Sequence, residues 1–152
     1  MIVKYVYAVE LYKQIKEEAA ALMVQHYSEL SVTGEDGLFD PDDTQYEWLC
    51  DKGMLSIVTV RADGKLVGYH ASFLKTHMHR RSLLTAYTDT FFILPEHRRG
   101  MVGYKLFKYV TEVLKRRGVK WIYAGVRLSN DVGLVLERQG YKKFEQTYLK
   151  VI

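Results

Sequence analysis

The sequence predicts one mixed α/β domain of the α+β kind over residues 1–152, and three observations support this. Strand-like and helix-like apolar patterns succeed one another along the whole chain. They meet at residues 91–106, where an apolar run ends and a long amphipathic helix begins. A near-continuous apolar run at residues 119–126 follows, as expected for a strand covered on both faces.

Composition agrees with a single soluble domain. The chain has 152 residues, of which 48% are hydrophobic and 26% are charged, enough for one substantial core. No run approaches the roughly 20 apolar residues of a membrane helix, and the N-terminus lacks the order of a secretory signal. The single cysteine, Cys50, agrees with a reducing compartment. We therefore expect a cytoplasmic protein that does not enter a membrane.

The first half of the chain predicts one strand, two helices and three antiparallel strands. Residues 2–9 alternate as a strand does, and a helical spacing then runs to about Leu30. The run Asp40-Pro41-Asp42-Asp43 predicts a helix start, with a cap, a proline at the first position and acid in the first turn. Strands are predicted at residues 54–61, 65–75 and 83–94, and Asp63-Gly64 favours a tight hairpin turn between the first two.

The second half predicts a helix, a strand, a helix and a final strand. Val102, Leu106 and Val113 lie on one helical face, and Gly118 ends that helix. The apolar run at residues 119–126 is the next strand. Ser129 and Asn130 are predicted to cap a last helix that ends at Gly140, and residues 141–151 are predicted to form the final strand.

The junction between the third antiparallel strand and the following helix predicts an anion site. The first turn of a helix carries N–H groups without intrahelical partners and the positive end of the helix dipole. Gly100 and Gly103 allow a ligand to approach the backbone, and Arg98 and Arg99 add guanidinium groups that bind phosphate oxygens. The spacing matches neither the nucleotide-triphosphate loop nor the dinucleotide fingerprint. We therefore predict a different phosphate-bearing ligand.

This junction resembles the acyl-CoA pyrophosphate loop of the GNAT superfamily of N-acyltransferases. Arg98 and Gly103 fall on the outer positions of the family pattern, and Met101 stands where a glycine is usual. The flanking run from Phe91 to Glu96 and the later Asn130, Gly133 and Gly140-Tyr141 also resemble the family, as does the order of elements. The sequence of residues 98–106 is similar to that of acetyltransferase-like proteins of tailed bacteriophages. A phage origin would place the protein in a host cytoplasm.

The resemblance implies a mostly antiparallel central sheet with helices on both faces and a splayed central strand pair. It implies an N-acetyltransferase that uses acetyl-CoA as co-substrate and acetylates a primary amine by direct attack in a ternary complex. It assigns the acetyl-CoA site to the strand edge and the loop, with a later asparagine: Phe91, Phe92, Ile93, Arg98, Arg99, Gly100, Met101, Val102, Gly103, Tyr104 and Asn130.

Asp89, on the strand before the loop, is the predicted catalytic base because most amines are charged at pH 7 and must lose a proton. The family's usual tyrosine acid is replaced by Leu136. Tyr141, a tyrosine of the long hairpin or a water can supply the proton instead, or the chemistry has been lost. The competing interpretation is therefore a non-catalytic acyl-CoA-binding or protein-interaction module.

Other partners have weaker support in the sequence. His77 and His79 lack an obvious third ligand, so no metal site is predicted. The net charge of +4 is spread over separate basic clusters, which does not favour a nucleic-acid surface. The expected partners are acetyl-CoA and an amine acceptor, and a homodimer remains open.

Overall fold

The computed structural model describes residues 2–30, 39–128 and 131–152. Five strands form one sheet in the order of the chain. The strands are β1 (Tyr5–Val9), β2 (Leu55–Ala62), β3 (Lys65–His77), β4 (Arg80–Ile93) and β5 (Trp121–Ala124). The four helices are α1 (Tyr12–Leu30), α2 (Asp43–Asp51), α3 (Val102–Arg116) and α4 (Gly133–Arg138), and a 3₁₀ turn covers Pro95–His97.

The sheet carries a core on each face, which confirms the predicted mixed α/β architecture. On one face, Ile15, Ala19 and Leu22 of α1 pack with Ile57 and Tyr69 of the sheet, together with Cys50 of α2. On the other face, the apolar stripe of α3 packs against β2 and β4; its buried members are Val102, Leu106, Val110, Val113 and Leu114. The 3.6-residue period of both helices therefore dictates which face each one covers.

The antiparallel part of the sheet is a meander from β2 to β4 with β1 added at its edge. Asp63 and Gly64 both have positive φ, 48° and 87°, so the predicted tight turn between β2 and β3 is confirmed. Gly118, at φ 86°, ends α3 as predicted. None of the helices in the described ranges has both the length and the apolar character needed to cross a bilayer.

The two central strands diverge, as the resemblance implied. Strand β5 runs parallel to β4 and pairs with it only over Thr85–Thr88. Beyond that point β4 continues to Ile93 and keeps only β3 as its partner. The far edge of residues 89–93 therefore has no neighbouring strand among the described residues.

The predicted final strand is wrong, because residues 141–152 are described without regular secondary structure. Apolar residues occur at both odd and even positions of this segment, so a strand would place them on both of its faces. Phe144 and Tyr148 lie on one parity and Leu149 and Val151 on the other, and all four are at least 74% exposed. Phe144 nevertheless contacts the Tyr123 ring of β5, with 5.7 Å between centroids.

The start of α2 differs from the prediction, and the predicted start of α4 falls outside the described residues. Helix α2 is capped by Asp42, whose carboxylate accepts a hydrogen bond from Gln45 N–H at 2.9 Å. Pro41 therefore precedes the cap instead of occupying the first helical position. The predicted caps of α4, Ser129 and Asn130, lie outside the described residues; Asp131 accepts from Gly133 N–H at 2.7 Å.

Candidate functional site

A β-bulge in β4 places two consecutive side chains on one face of the sheet. Thr88 lies opposite Ser72 and Thr90 lies opposite Ala71, so Asp89 is the extra residue between them. In a regular strand Asp89 and Thr90 would point to opposite faces. Here both line the same cavity, on the face that α1 covers. The bulge therefore directs the predicted base towards α1.

This cavity, of about 230 Å³, lies between α1, α2 and the sheet. Its walls are mostly apolar and aromatic, and they include Tyr12, Met23, Tyr46 and Tyr69. Phe39 is a further aromatic residue of the described lining. A concave, largely apolar site with a few convergent polar groups is the usual form of a small-molecule site.

The environment of Asp89 strengthens it as a base. Burial raises the pKa of the Asp89 carboxyl, because the apolar walls disfavour its charged form. A hydrogen bond from the Tyr46 hydroxyl acts in the opposite direction and lowers the pKa, with a smaller effect. Burial also raises the pKa of Tyr46, and the neighbouring Asp89 charge raises it further. The pair therefore joins a carboxylate of raised basicity to a phenol that stays protonated.

His26 links this cavity to the following strand segment. Its Nδ1 lies 2.9 Å from the Tyr69 hydroxyl and 3.3 Å from Thr90 Oγ1. Its ring stacks on Phe92 at 4.8 Å between centroids. Burial lowers the pKa of His26 to about 4, so the imidazole is neutral at pH 7. His26 therefore contributes hydrogen bonds and ring surface to the cavity but no charge.

The free edge of β4 exposes main-chain groups rather than side chains. Leu94 N–H donates to Val67 O at 2.9 Å, so by antiparallel alternation Phe92 also faces β3. Phe91 and Ile93 then direct their N–H and C=O groups away from β3, into the gap beside β5. Arg98 Nε donates to Ile93 O at 2.7 Å from that side, in agreement with this orientation.

The side chains of these edge residues pack into the two hydrophobic cores. Phe91 packs edge-on against Phe107 of α3, at 5.0 Å between centroids, and stacks on His70. Phe92 is 4% exposed and lies on the opposite face. The predicted role of Phe91 and Ile93 in ligand binding is therefore restricted to their backbone. Phe92, whose main-chain groups face β3 and whose side chain is buried, offers no free group to a ligand.

The loop after β4 presents an uncapped helix N-terminus. Gly100 has a φ of 67°, a conformation that L side chains rarely adopt. The first hydrogen bond into α3 runs from Lys105 N–H to Met101 O at 2.9 Å, and Met101 gives no side-chain cap. The N–H groups of Val102, Gly103 and Tyr104 therefore have no helical acceptor and can bind an anion.

The two basic residues before Gly100 differ in their surroundings. Arg98 Nη2 forms an ion pair with Glu29 Oε2 at 2.7 Å, and its guanidinium lies over the Phe92 ring at 5.2 Å. Arg99 is exposed beside the loop. His97 faces away, with Nδ1 2.9 Å from the Tyr5 hydroxyl. Arg98 is thus held by a carboxylate in this structure, whereas Arg99 remains accessible.

Leu136 and Tyr141, the two positions considered for the proton donor, do not line the cavity. Leu136 is 6% exposed and belongs to the packing of α4, so it offers neither a proton nor a binding group. The Tyr141 hydroxyl is buried, burial raises its pKa, and Tyr141 does not line the cavity. Asn130 lies outside the described residues.

The sequence analysis missed His26, Tyr46 and Tyr69. A signal existed for His26, because it continues the buried helical spacing of Tyr12, Ile15, Ala19 and Leu22. A polar residue on a core-facing stripe is informative. Tyr46 and Tyr69 carried no comparable signal, since tyrosine is common in half-buried positions.

Comparisons with known proteins identify the family and the fold. The model of the acetyltransferase (GNAT) family matches residues 20–141. No curated protein matches the chain.

Several solved structures share the fold at low sequence identity. Ribosomal-protein-alanine N-acetyltransferase from Brucella melitensis biovar Abortus 2308 has a TM-score of 0.73 at 17% identity, over 98% of this chain and 99% of that chain. An aminoglycoside acetyltransferase from an uncultured soil metagenomic sample, in complex with sisomicin, has a TM-score of 0.72 at 12% identity, over 97% of this chain and 94% of that chain. A predicted acetyltransferase with acetyl-CoA from Clostridium acetobutylicum has a TM-score of 0.70 at 11% identity, over 98% of this chain and 96% of that chain.

Proposed function

Because the chain belongs to the GNAT acetyltransferase family, we propose that it transfers the acetyl group of acetyl-CoA to a primary amine by direct attack in a ternary complex. The observation that carries this proposal is the meeting of three features at the end of β4. These are the main-chain N–H groups of Phe91 and Ile93 that face away from β3, the anion-binding loop, and the cavity that holds Asp89.

The loop and the edge suit the two ends of an acyl-CoA. Free N–H groups at Val102, Gly103 and Tyr104, with Arg99 beside them, suit a pyrophosphate. Outward N–H groups at Phe91 and Ile93 suit the amide-rich pantetheine arm and the thioester oxygen. A side chain at Met101 does not prevent this, because the Met101 backbone has an ordinary negative φ of −100° and its side chain is 54% exposed.

The reaction needs one proton acceptor and one proton donor. Asp89 accepts a proton from the bound ammonium, directly or through water, and its raised pKa favours this step. The amine nitrogen then attacks the thioester carbon, so that a C–N bond replaces the C–S bond. The departing thiolate takes up, through water, the second proton that the amine nitrogen loses on forming the amide, and Asp89 afterwards releases its own proton to solvent.

The first test is Asp89→Asn, which keeps the shape of the side chain and removes its basicity. Loss of a general base typically lowers turnover by about 10²- to 10⁴-fold. Free thiol release from acetyl-CoA with an amine acceptor measures turnover, and calorimetry measures acetyl-CoA affinity. We expect a large loss of turnover with unchanged affinity. A variant with wild-type rates between pH 5 and 9 would remove Asp89 from the mechanism.

A further inference from the structure

The cavity beside Asp89 has an unusual balance of charge. Among its described lining residues, Asp89 is the one carboxylate, and there is no lysine or arginine. His26 adds no positive charge, because burial lowers its pKa to about 4. The described lining therefore offers a single negative point to an incoming ammonium group. It carries no cationic side chain for a carboxylate or a phosphate on the same molecule, and Asp89 would repel either group.

The polar groups in the cavity walls are already paired with one another. The Tyr12 hydroxyl donates to Asp43 Oδ1 at 2.5 Å, and the Tyr69 hydroxyl lies 2.9 Å from His26 Nδ1. The Tyr46 hydroxyl is engaged by Asp89. An acceptor with many hydroxyl or amino groups would have to leave them unsatisfied against these walls, which costs free energy for each group.

The remaining wall surface is aromatic. The rings of Tyr12 and Tyr46 stack at 4.9 Å between centroids with an interplanar angle of 23°, and Phe39 adds a third ring to the described lining. Ring faces attract ammonium groups and stack on flat apolar groups. The volume of about 230 Å³ lies below the roughly 300–1,000 Å³ of sites for drug-sized ligands, so the acceptor is small.

We propose that the acceptor is an arylalkylamine-like monoamine, with one primary amine on a compact aromatic body and no anionic group. This proposal rests on the proposed acetyl transfer, because it identifies the cavity as the acceptor site. The amine lies at Asp89, and the ring lies against the wall formed by Tyr12 and Tyr46. Aminoglycosides and polyamines fit poorly, since their additional ammonium groups find no second carboxylate in the described lining.

The test compares four amines with the wild-type protein and acetyl-CoA. 2-Phenylethylamine has the proposed form, phenylalanine adds a carboxylate, 1,4-diaminobutane replaces the ring by a second amine, and ethylamine lacks the ring. We expect kcat/KM for 2-phenylethylamine to exceed that of each other amine at least tenfold, mainly through KM. Equal or better use of phenylalanine or 1,4-diaminobutane would overturn the acceptor proposal while acetyl transfer itself stands.

A direct binding measurement separates the two proposals. Calorimetry with 2-phenylethylamine and 1,4-diaminobutane reports on the cavity whether or not acetyl transfer occurs. Preferential binding of 2-phenylethylamine without thiol release would support the cavity assignment and contradict the transferase proposal. Absence of both binding and turnover with 2-phenylethylamine would overturn the acceptor proposal.

A matched pair of variants locates the binding. Met23 lines the cavity from α1, whereas the adjacent Val24 is 57% exposed. Met23→Trp fills part of the cavity, and we expect it to raise KM for 2-phenylethylamine about tenfold or more while KM for ethylamine changes little. Val24→Trp adds the same ring outside the cavity and should leave both values unchanged. Equal effects of the two variants would contradict binding in this cavity.

Discussion

The terminal segment of β4, residues 89–93, presents different chemistry on its two sides. Towards α1 it offers side chains, namely Asp89 and Thr90 in a cavity lined by aromatic rings. Towards the gap beside β5 it offers main-chain N–H groups of Phe91 and Ile93, which lead to the uncapped start of α3. One short segment therefore carries a site defined by side-chain identity and a site defined by backbone geometry.

This difference determines what each site tolerates. A backbone site keeps its donors when side chains change, so Met101 can stand where the family usually has glycine. It is lost when bulk or negative charge enters the cradle. A side-chain site depends on each group and its neighbours, because the pKa of Asp89 reflects both burial and Tyr46. The following variants test this contrast.

The largest effect is expected for Gly103→Glu, which places a carboxylate among the free N–H groups of α3. Like charges brought together in a binding site cost several kcal/mol, so acetyl-CoA affinity should fall roughly a hundredfold or more. Gly103→Ala is the matched control, because its added Cβ would meet only Ile93 Cδ1, at an ordinary 3.8 Å. Calorimetry with acetyl-CoA measures both. Unchanged affinity of the glutamate variant would refute the pyrophosphate assignment.

Tyr46→Phe should change the pH dependence of turnover. The Tyr46 hydrogen bond lowers the pKa of Asp89, so its removal raises that pKa further. Asp89 must be ionised to accept a proton, and the acid limb of kcat/KM therefore moves to higher pH while the rate at high pH changes little. Tyr12→Phe is the control, since the Tyr12 hydroxyl bonds Asp43 instead. An acid limb that stays in place after Tyr46→Phe would exclude this coupling.

The free energy of unfolding should depend on pH through His70, which lies on the face of the sheet that α3 covers. His70 is 1% exposed, and burial lowers its pKa to about 4. The unfolded chain therefore binds protons more readily than the folded protein, and the free energy of unfolding falls as the pH decreases from about 6.5 towards 4. Each pKa unit corresponds to roughly 1.4 kcal/mol. His70→Leu should weaken this dependence in urea unfolding at pH 7 and 4.5, while His26 and the shifted carboxyls Glu10, Glu18 and Asp89 still contribute. An unaltered dependence would contradict the role of His70.

The smallest effect is expected for Glu29→Gln, which releases Arg98 from its ion pair. Partly exposed ion pairs contribute about 0–1 kcal/mol, so acetyl-CoA affinity should rise by at most about fivefold as Arg98 becomes available to the loop ligand. Glu47→Gln breaks a comparable pair with Lys16, 2.8 Å long and remote from the loop, and should leave affinity unchanged. A decrease in affinity for Glu29→Gln would show that the pair positions Arg98 for binding.

Regular elements were predictable because their periods are local properties of the sequence. The meander, its Asp63-Gly64 turn and the stripe of α3 follow from alternation, turn chemistry and helical spacing. The bulge at Asp89 was not predictable, since one extra residue leaves no mark in side-chain identity. The final strand failed because its apolar residues fall on both parities. The cavity combines α1, α2 and three strands, and only packing brings those distant segments together.

The Phe92 ring lies between the Arg98 guanidinium at 5.2 Å and the His26 imidazole at 4.8 Å. The anion loop and the cavity wall are therefore adjacent layers of one stack. Linkage requires that two bound ligands affect each other's affinity by the same factor. An acetyl-CoA that moves Arg98 and thereby alters acceptor affinity must itself be held more or less tightly, by that factor, when the acceptor is bound. In the proposed ternary complex, the Phe92 ring would be the contact through which each substrate affects the other.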